Sequence, residues 1–192
     1  MTLAIDSAIE TARLSIRPVA PTHLPDLLEV NGDPAVTHFL PYPTWASLDD
    51  ATAWLERMRT LEAAGAARQL VIVRRADDKA IGTVLLFRHE AGSARVELGY
   101  VIGRAHWRQG HAREALSGVI DHAFSVLGIR RIEAEVNTAN EPSSALLRSL
   151  GFHREGTLRQ RWTAKGRTYD VDFFGLLASD RAAEPARTDR HG

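Results

Sequence analysis

The stretch HWRQGHAREAL, His106 to Leu116, sets a tryptophan and an arginine before a glycine and an unbroken helical pattern after it. Beyond Gly110, Ala112, Ala115, Leu116, Val119, Ile120, Ala123, Phe124 and Leu127 recur at i, i+3 and i+4 until Gly128, so one helix face is wholly apolar. The helix opens on Gly110-His111-Ala112 without a capping side chain. A helix start leaves four backbone N–H groups unpaired and carries partial positive charge, so an anion there gains hydrogen bonds and field together. Gly110 lets a bulky anion approach the backbone, Ala112 keeps the next turn uncrowded, and Arg108 adds a cation suited to phosphate oxygens. The stretch therefore reads as a diphosphate cradle; the alternative is a plain junction between loop and helix.

Outward from this helix, the pattern alternates between strand and helix. RLSIRPV from Arg13 alternates as a half-buried strand does, and HLPDLLEV is a short helix stopping at Asn31-Gly32. Ser47 caps a helix ended by Gly65, with Asp50 completing a capping box. QLVIVRRADDKAIGTVLLF holds two strands about a turn near Asp77-Asp78-Lys79, and SARVELGYVI is a third; together they make an antiparallel meander. After the long helix, RRIEAEV alternates as a strand and EPSSALLRSLGF is a helix with Pro142 in its first turn and Gly151 at its end. Two last strands, 152–162 and 167–177, form a hairpin around Lys165-Gly166. This order predicts a mixed α/β (α+β) domain, a six- to seven-stranded, mostly antiparallel sheet flanked by helices, over 13–178, with 1–12 as a leading segment and 179–192 as a frayed tail.

Composition narrows the chemistry. The chain has 192 residues, 44% hydrophobic and 25% charged, which suits a single domain. Lys+Arg and Asp+Glu both number 24, leaving no global field for nucleic acid or anionic lipid. Without cysteine there is no thiolate nucleophile, disulfide or cysteine-ligated zinc. The eight histidines show neither H-x-x-x-H nor H-E-x-x-H spacing, and no G-x-x-x-x-G-K-[ST] or G-x-G-x-x-G occurs, so no metal site and no ordinary nucleotide fingerprint is expected. The start of the chain lacks a basic n-region and no apolar run reaches ~18 residues, so a soluble cytoplasmic protein is expected.

VELGYVIGRAHWRQGHAREAL, RRIEAEVNTANEPSSALLRSLGF and GRTYDVDFFGLL, in this order, closely resemble the GCN5-related N-acetyltransferases (GNAT), specifically the RimJ/RimL-like group that acetylates protein α-amino groups. The similarity spans nearly all of Arg13 to Leu177. It implies the GNAT fold and acetyl-CoA as cofactor, with the helix start at Arg108, Gln109, Gly110, His111, Ala112 and Arg113 holding the diphosphate. The family's pattern there begins with Gln or Arg three residues before the glycine; Trp107 stands at that position here. The resemblance further implies that the strand ending GYVI splays from RRIEAEV, so that backbone N–H groups near Val101 and Ile102 hold the pantetheine arm, with Asn140 on the cofactor's other side.

An alkyl ammonium has no lone pair, with reference pKa values of ~8 for an α-amino group and ~10 for lysine, so a base must first take a proton. Glu97 is the first candidate; the alternative is a simple ion pair. Ser143 matches the serine that related enzymes use to protonate the departing thiolate; it can also be a first-turn hydrogen-bonding serine. Tyr42, Trp45, Trp162 and Tyr169 are candidates for lining the acceptor pocket, and Asp170 and Asp172 for meeting a cationic amine. Related ribosomal enzymes carry a carboxylate near the start of the final hairpin, where Trp162 aligns. The acceptor expected is a protein N-terminus, with polyamines or aminoglycosides as rivals and a non-catalytic CoA-binding module as a different reading. No nucleic-acid or membrane partner is expected, and a homodimer is left open.

Overall fold

The computed structural model describes residues 3–182. Eight strands form one sheet in the order β1-β2-β3-β4-β5-β6-β8-β7: β1 (Ile9–Glu10), β2 (Leu14–Pro18), β3 (Ala67–Arg74), β4 (Lys79–Glu90), β5 (Arg95–Ile102), β6 (Arg131–Asn137), β7 (His153–Ala164) and β8 (Arg167–Leu177). Every neighbouring pair is antiparallel except β5 and β6. The strand beyond the expected six or seven is β1, a two-residue extension that pairs Ile9 with Ile16 and lies in the leading segment. Two residues carry too little alternation to be read as a strand.

The helices are α1 (Leu24–Asn31), α2 (Pro34–Thr37), α3 (Leu48–Ala63), α4 (His111–Ser125), α5 (Glu141–Ser149) and α6 (Ala178–Ala182). Ser47 caps α3 as expected: its hydroxyl accepts from the Asp49 amide at 3.2 Å, while Asp50 accepts from the Ser47 amide at 3.1 Å. Residues 179–182 of the expected tail belong to the helix Ala178–Ala182; its remainder from 183 on lies outside the described residues.

Strand side chains alternate between two faces. On one, Leu116, Val119, Ile120 and Ala123 of α4 are fully buried against Ile16, Ile72, Leu98 and Ile132, each large side chain contributing about 1.5–3 kcal/mol by leaving water. On the other, Leu27 of α1 and Trp54, Leu55 and Met58 of α3 pack on Val71, Val73 and Ala80. Toward β5 and β6, this second face carries Glu97, Glu133 and Glu135, all paired to arginine, in place of apolar residues. Among the described residues no helix is long and apolar enough to cross a membrane.

Candidate active site

β5 and β6 pair only from Arg95–Glu97 to Arg131–Glu133. Past that point the strands part, and the facing edges of Leu98–Ile102 and Ala134–Asn137 have no ladder between them. Such edges present backbone donors and acceptors to whatever enters. A cavity of about 330 Å³ occupies the fork. Its lining includes Gly99, Val101, Asn137, Asn140 and Ser143, and the larger side chains of Tyr42, Trp54, Met58, Phe87 and Trp162.

Val101 lines the fork, but the β4–β5 register turns its backbone N–H toward Thr83, whereas the N–H of Ile102 faces the open side. The Ile102 side chain is buried in the core beneath α4, and its carbonyl accepts from the Trp107 indole N–H at 2.7 Å. Trp107 thus ties the loop to the end of β5. Asn140 caps α5 by accepting from the Ser143 amide, and still lines the fork.

At the head of α4, Gly110 adopts φ +79°, a left-handed geometry that glycine takes without steric penalty, and no side chain caps the helix. Arg108 is also left-handed at φ +59°, which turns the loop sharply before the helix. Arg108, Arg113 and Gln109 are exposed; the Gln109 amide donates to the Ala105 carbonyl and so is engaged within the loop. His111 is buried, its ring centroid 5.9 Å from that of His106, and burial pushes both imidazoles down from their ordinary value. They favour the neutral form, which makes them poor phosphate cations.

Where β5 leaves the fork, the Tyr100 and Ser143 hydroxyl oxygens lie 2.7 Å apart, and burial pushes the phenol up to about 12. Further along, Arg88 donates to Glu97 at 2.7 Å and lies 3.5 Å from Glu135. Glu135, its side chain 1% exposed, also accepts from Arg161 at 2.9 Å and from the Trp162 indole at 2.6 Å. Burial raises Glu97 above the ordinary carboxylate value against the opposing pull of Arg88, with Glu135 and Glu133 adding to the rise. Glu97 sits behind the cavity lining; Glu135 is the carboxylate within it.

Two of the four aromatic candidates line the cavity. Tyr42 does so while donating to Asn31 at 2.9 Å, and Trp162 does so from β7. Trp45 is instead buried in the core beneath α3, its ring 5.4 Å from Trp54. Tyr169 bonds the Ala164 carbonyl within its own hairpin and stays out of the cavity. Asp170 accepts from the Gln160 amide and Asp172 from Arg154, so neither meets the cavity as a free carboxylate. Tyr100, Glu135, Arg88 and Arg161 escape the reading of the sequence: an alternating strand puts Glu133 and Glu135 on a solvent face, and only the arginines from β4 and β7 reveal that this face is closed.

The acetyltransferase (GNAT) domain family matches residues 13–153. The chain belongs to the GNAT acetyltransferase family. This acetyltransferase is 36% identical over 172 residues to the uncharacterized N-acetyltransferase p20 of Bacillus licheniformis, covering 90% of this chain and 97% of that one. A GCN5-related N-acetyltransferase from Brucella melitensis superposes with a TM-score of 0.84 at 25% identity, covering 94% of this chain and 82% of that one. The Vibrio cholerae spermidine N-acetyltransferase in complex with CoA and spermine shares the fold, with a TM-score of 0.77 at 23% identity over 90% and 99% of the two chains. As a GNAT enzyme the protein uses acetyl-CoA.

Proposed function

We propose that this cytoplasmic N-acetyltransferase, of the RimJ/RimL-like group, acetylates the α-amino group of a protein N-terminus. The observation that carries the reading is the fork, whose cavity is lined both by Ser143 and by the aromatic side chains of Trp54 and Trp162. The open edges of β5 and β6 fit an amide-bearing pantetheine arm, and the uncapped start of α4 with Arg108 fits a diphosphate. When bound, acetyl-CoA supplies an activated acetyl thioester. Open-edge backbone groups of β5 beside Val101, at Tyr100 and Ile102, bind the arm, and the Gly110–Arg113 amides with Arg108 bind the diphosphate.

Glu97 takes the acceptor's proton through water, since it lies behind the lining. Ser143 holds a hydroxyl proton for the leaving sulfur, and Tyr100 orients it by donating to Oγ, because a phenol is the stronger donor of the two.

The acceptor end supports an α-amine over a polycation. Its walls are aromatic and apolar apart from Arg57, Gln69 and Thr83, none of them anionic, and its carboxylate, Glu135, already accepts from Arg161 and Trp162. A polyamine would need unpaired carboxylates. Presenting a free amine at pH 7 costs ~1.4 kcal/mol at pKa ~8 but ~4.6 kcal/mol at pKa ~10.4, so a poorly acidic pocket favours the less basic amine.

Acetyl transfer from acetyl-CoA onto a library of peptides and small amines, read by mass, tests this. Peptide N-termini are expected to gain the mass of one acetyl group ahead of spermidine or aminoglycosides. Faster acetylation of spermidine overturns the acceptor, and stoichiometric CoA binding without turnover of any amine overturns catalysis.

A further inference from the structure

Arg13, at the threshold of β2, is joined to the head of α4 by hydrogen bonds on three of its nitrogens. Its amide donates to Glu114 Oε1 at 2.7 Å, its Nε to Glu114 Oε2 at 2.6 Å, and its Nη1 to the Gln109 carbonyl at 3.0 Å. Thr11 adds a fourth donor to the cluster, bonding Glu114 Oε1 at 2.7 Å. These contacts hold Glu114 below its ordinary value although burial pushes it upward. The remaining guanidinium nitrogen, Nη2, lies 3.3 Å from where a Cβ on Gly110 would stand. It therefore faces the one residue of the loop whose missing side chain opens the backbone to a ligand, and the Arg13 side chain is half-exposed there.

Charge makes this placement informative. Glu114 lies in the first turn of α4, where an unpaired carboxylate would repel an incoming anion. Arg13 neutralises it with Nε and keeps Nη2 directed at Gly110. The planar guanidinium carries five donors in a fixed fork, so one side chain can brace a carboxylate, a loop carbonyl and a phosphate at once.

We propose that Arg13 is a ligand of the cofactor's diphosphate, donating from Nη2 beside Gly110 while its other donors hold the loop to α4. This rests on the acetyl-CoA reading of the α4 head. Arg13 comes from the opposite end of the sequence, and its cation adds to those of Arg108 and Arg113 within the loop and helix.

The test compares acetyl-CoA with S-acetylpantetheine, which has the thioester but no diphosphate, in the full chain and in Arg13→Gln. With acetyl-CoA the variant is expected to raise KM about 10- to 100-fold, the worth of one hydrogen bond between charged groups, with kcat at saturation within about twofold. With S-acetylpantetheine the two proteins should have equal kcat/KM. Arg13→Lys, which keeps the charge without the fork, is expected to fall between them with acetyl-CoA. An unchanged acetyl-CoA KM in Arg13→Gln overturns the assignment, and so does an equal loss with both thioesters, which would make Arg13 a brace alone. If Arg13→Gln does not fold, Arg13→Lys decides by the same comparison. Failure of the wild-type protein to bind CoA in calorimetry would instead sink the cofactor reading itself.

Discussion

Tyr100 on β5 and Ser143 in the first turn of α5 bring their hydroxyl oxygens to 2.7 Å across the mouth of the fork. Neither strand nor helix would place them so if β5 and β6 stayed paired beyond Glu97 and Glu133. The parting of the strands therefore makes both the slot and the hydroxyl pair beside it.

Ser143→Ala should lower kcat about 10²-fold, the lower end of what a positioned proton donor supplies, with the acetyl-CoA KM within a few-fold. Tyr100→Phe removes only the neutral hydrogen bond that orients Ser143, so kcat should fall about 2- to 10-fold. Since burial pushes the Tyr100 phenol up to about 12, no basic limb from this group should appear between pH 7 and 10. Steady-state rates of thiol release across pH check all three; a Tyr100→Phe enzyme with wild-type kcat removes the orienting role.

Glu97 must be ionised to accept a proton, and burial raises its value. The acid limb of kcat/KM should thus have its midpoint above the ordinary glutamate value of ~4.3. Glu97→Gln should lower kcat about 10²-fold, flatten that limb, and leave CoA binding measured by calorimetry unchanged. The raised value also bears on folding. Glu97 contributes stability fully below ~4.3, and that contribution is lost as pH rises through its folded-state value. A wild-type pH profile in Glu97→Gln would move the base elsewhere, with Glu135 the next carboxylate along the fork.

The fold was legible because its elements carry strong periodic and capping signals. The apolar stripe from Ala112 to Leu127, Ser47 with Asp50, and the turn at Lys165-Gly166, both left-handed here, each act over a few residues. Gly110, Val101, Asn140 and Ser143 stand on short motifs; Gly110 heads α4 and the other three line the fork. Ion pairs between distant strands are invisible to such patterns. Glu135 alternates like a surface residue, and only folding brings Arg88 from β4 and Arg161 from β7 over it. Trp45 shows the converse. An aromatic near a loop reads as a pocket wall, but packing against Trp54 claimed it for the core.

Gly110→Val tests the cradle. At φ +79° a β-branched residue is strained by about 1–2 kcal/mol, and its Cβ would meet Arg13 Nη2 at 3.3 Å. The melting temperature should fall by about 2–8 °C, while the dissociation constant for CoA should rise tenfold or more as backbone access closes. Wild-type CoA affinity in a folded Gly110→Val protein, measured by calorimetry, would place the diphosphate away from α4.

Glu135 separates the acceptor end from the cofactor end. Its carboxylate accepts from the Trp162 indole at 2.6 Å and from Arg161 at 2.9 Å, with Arg88 at 3.5 Å. Removing Glu135 leaves half-exposed arginines, of which Arg88 keeps Glu97, and an indole donor without its acceptor, at a cost of about 1–3 kcal/mol. For Glu135→Ala this corresponds to a melting temperature lower by about 2–12 °C. Trp162 also loses the bond that fixes its ring in the cavity wall, so the KM for the amine should rise severalfold. The acetyl-CoA KM should hold, because Val101, Ser143 and the head of α4 do not touch this cluster. Glu135→Gln keeps an acceptor for the indole and should recover part of the amine KM. If the acetyl-CoA KM rises in step with the amine KM, the two ends of the fork are not separable, and the division of the cavity into a cofactor half and an acceptor half fails.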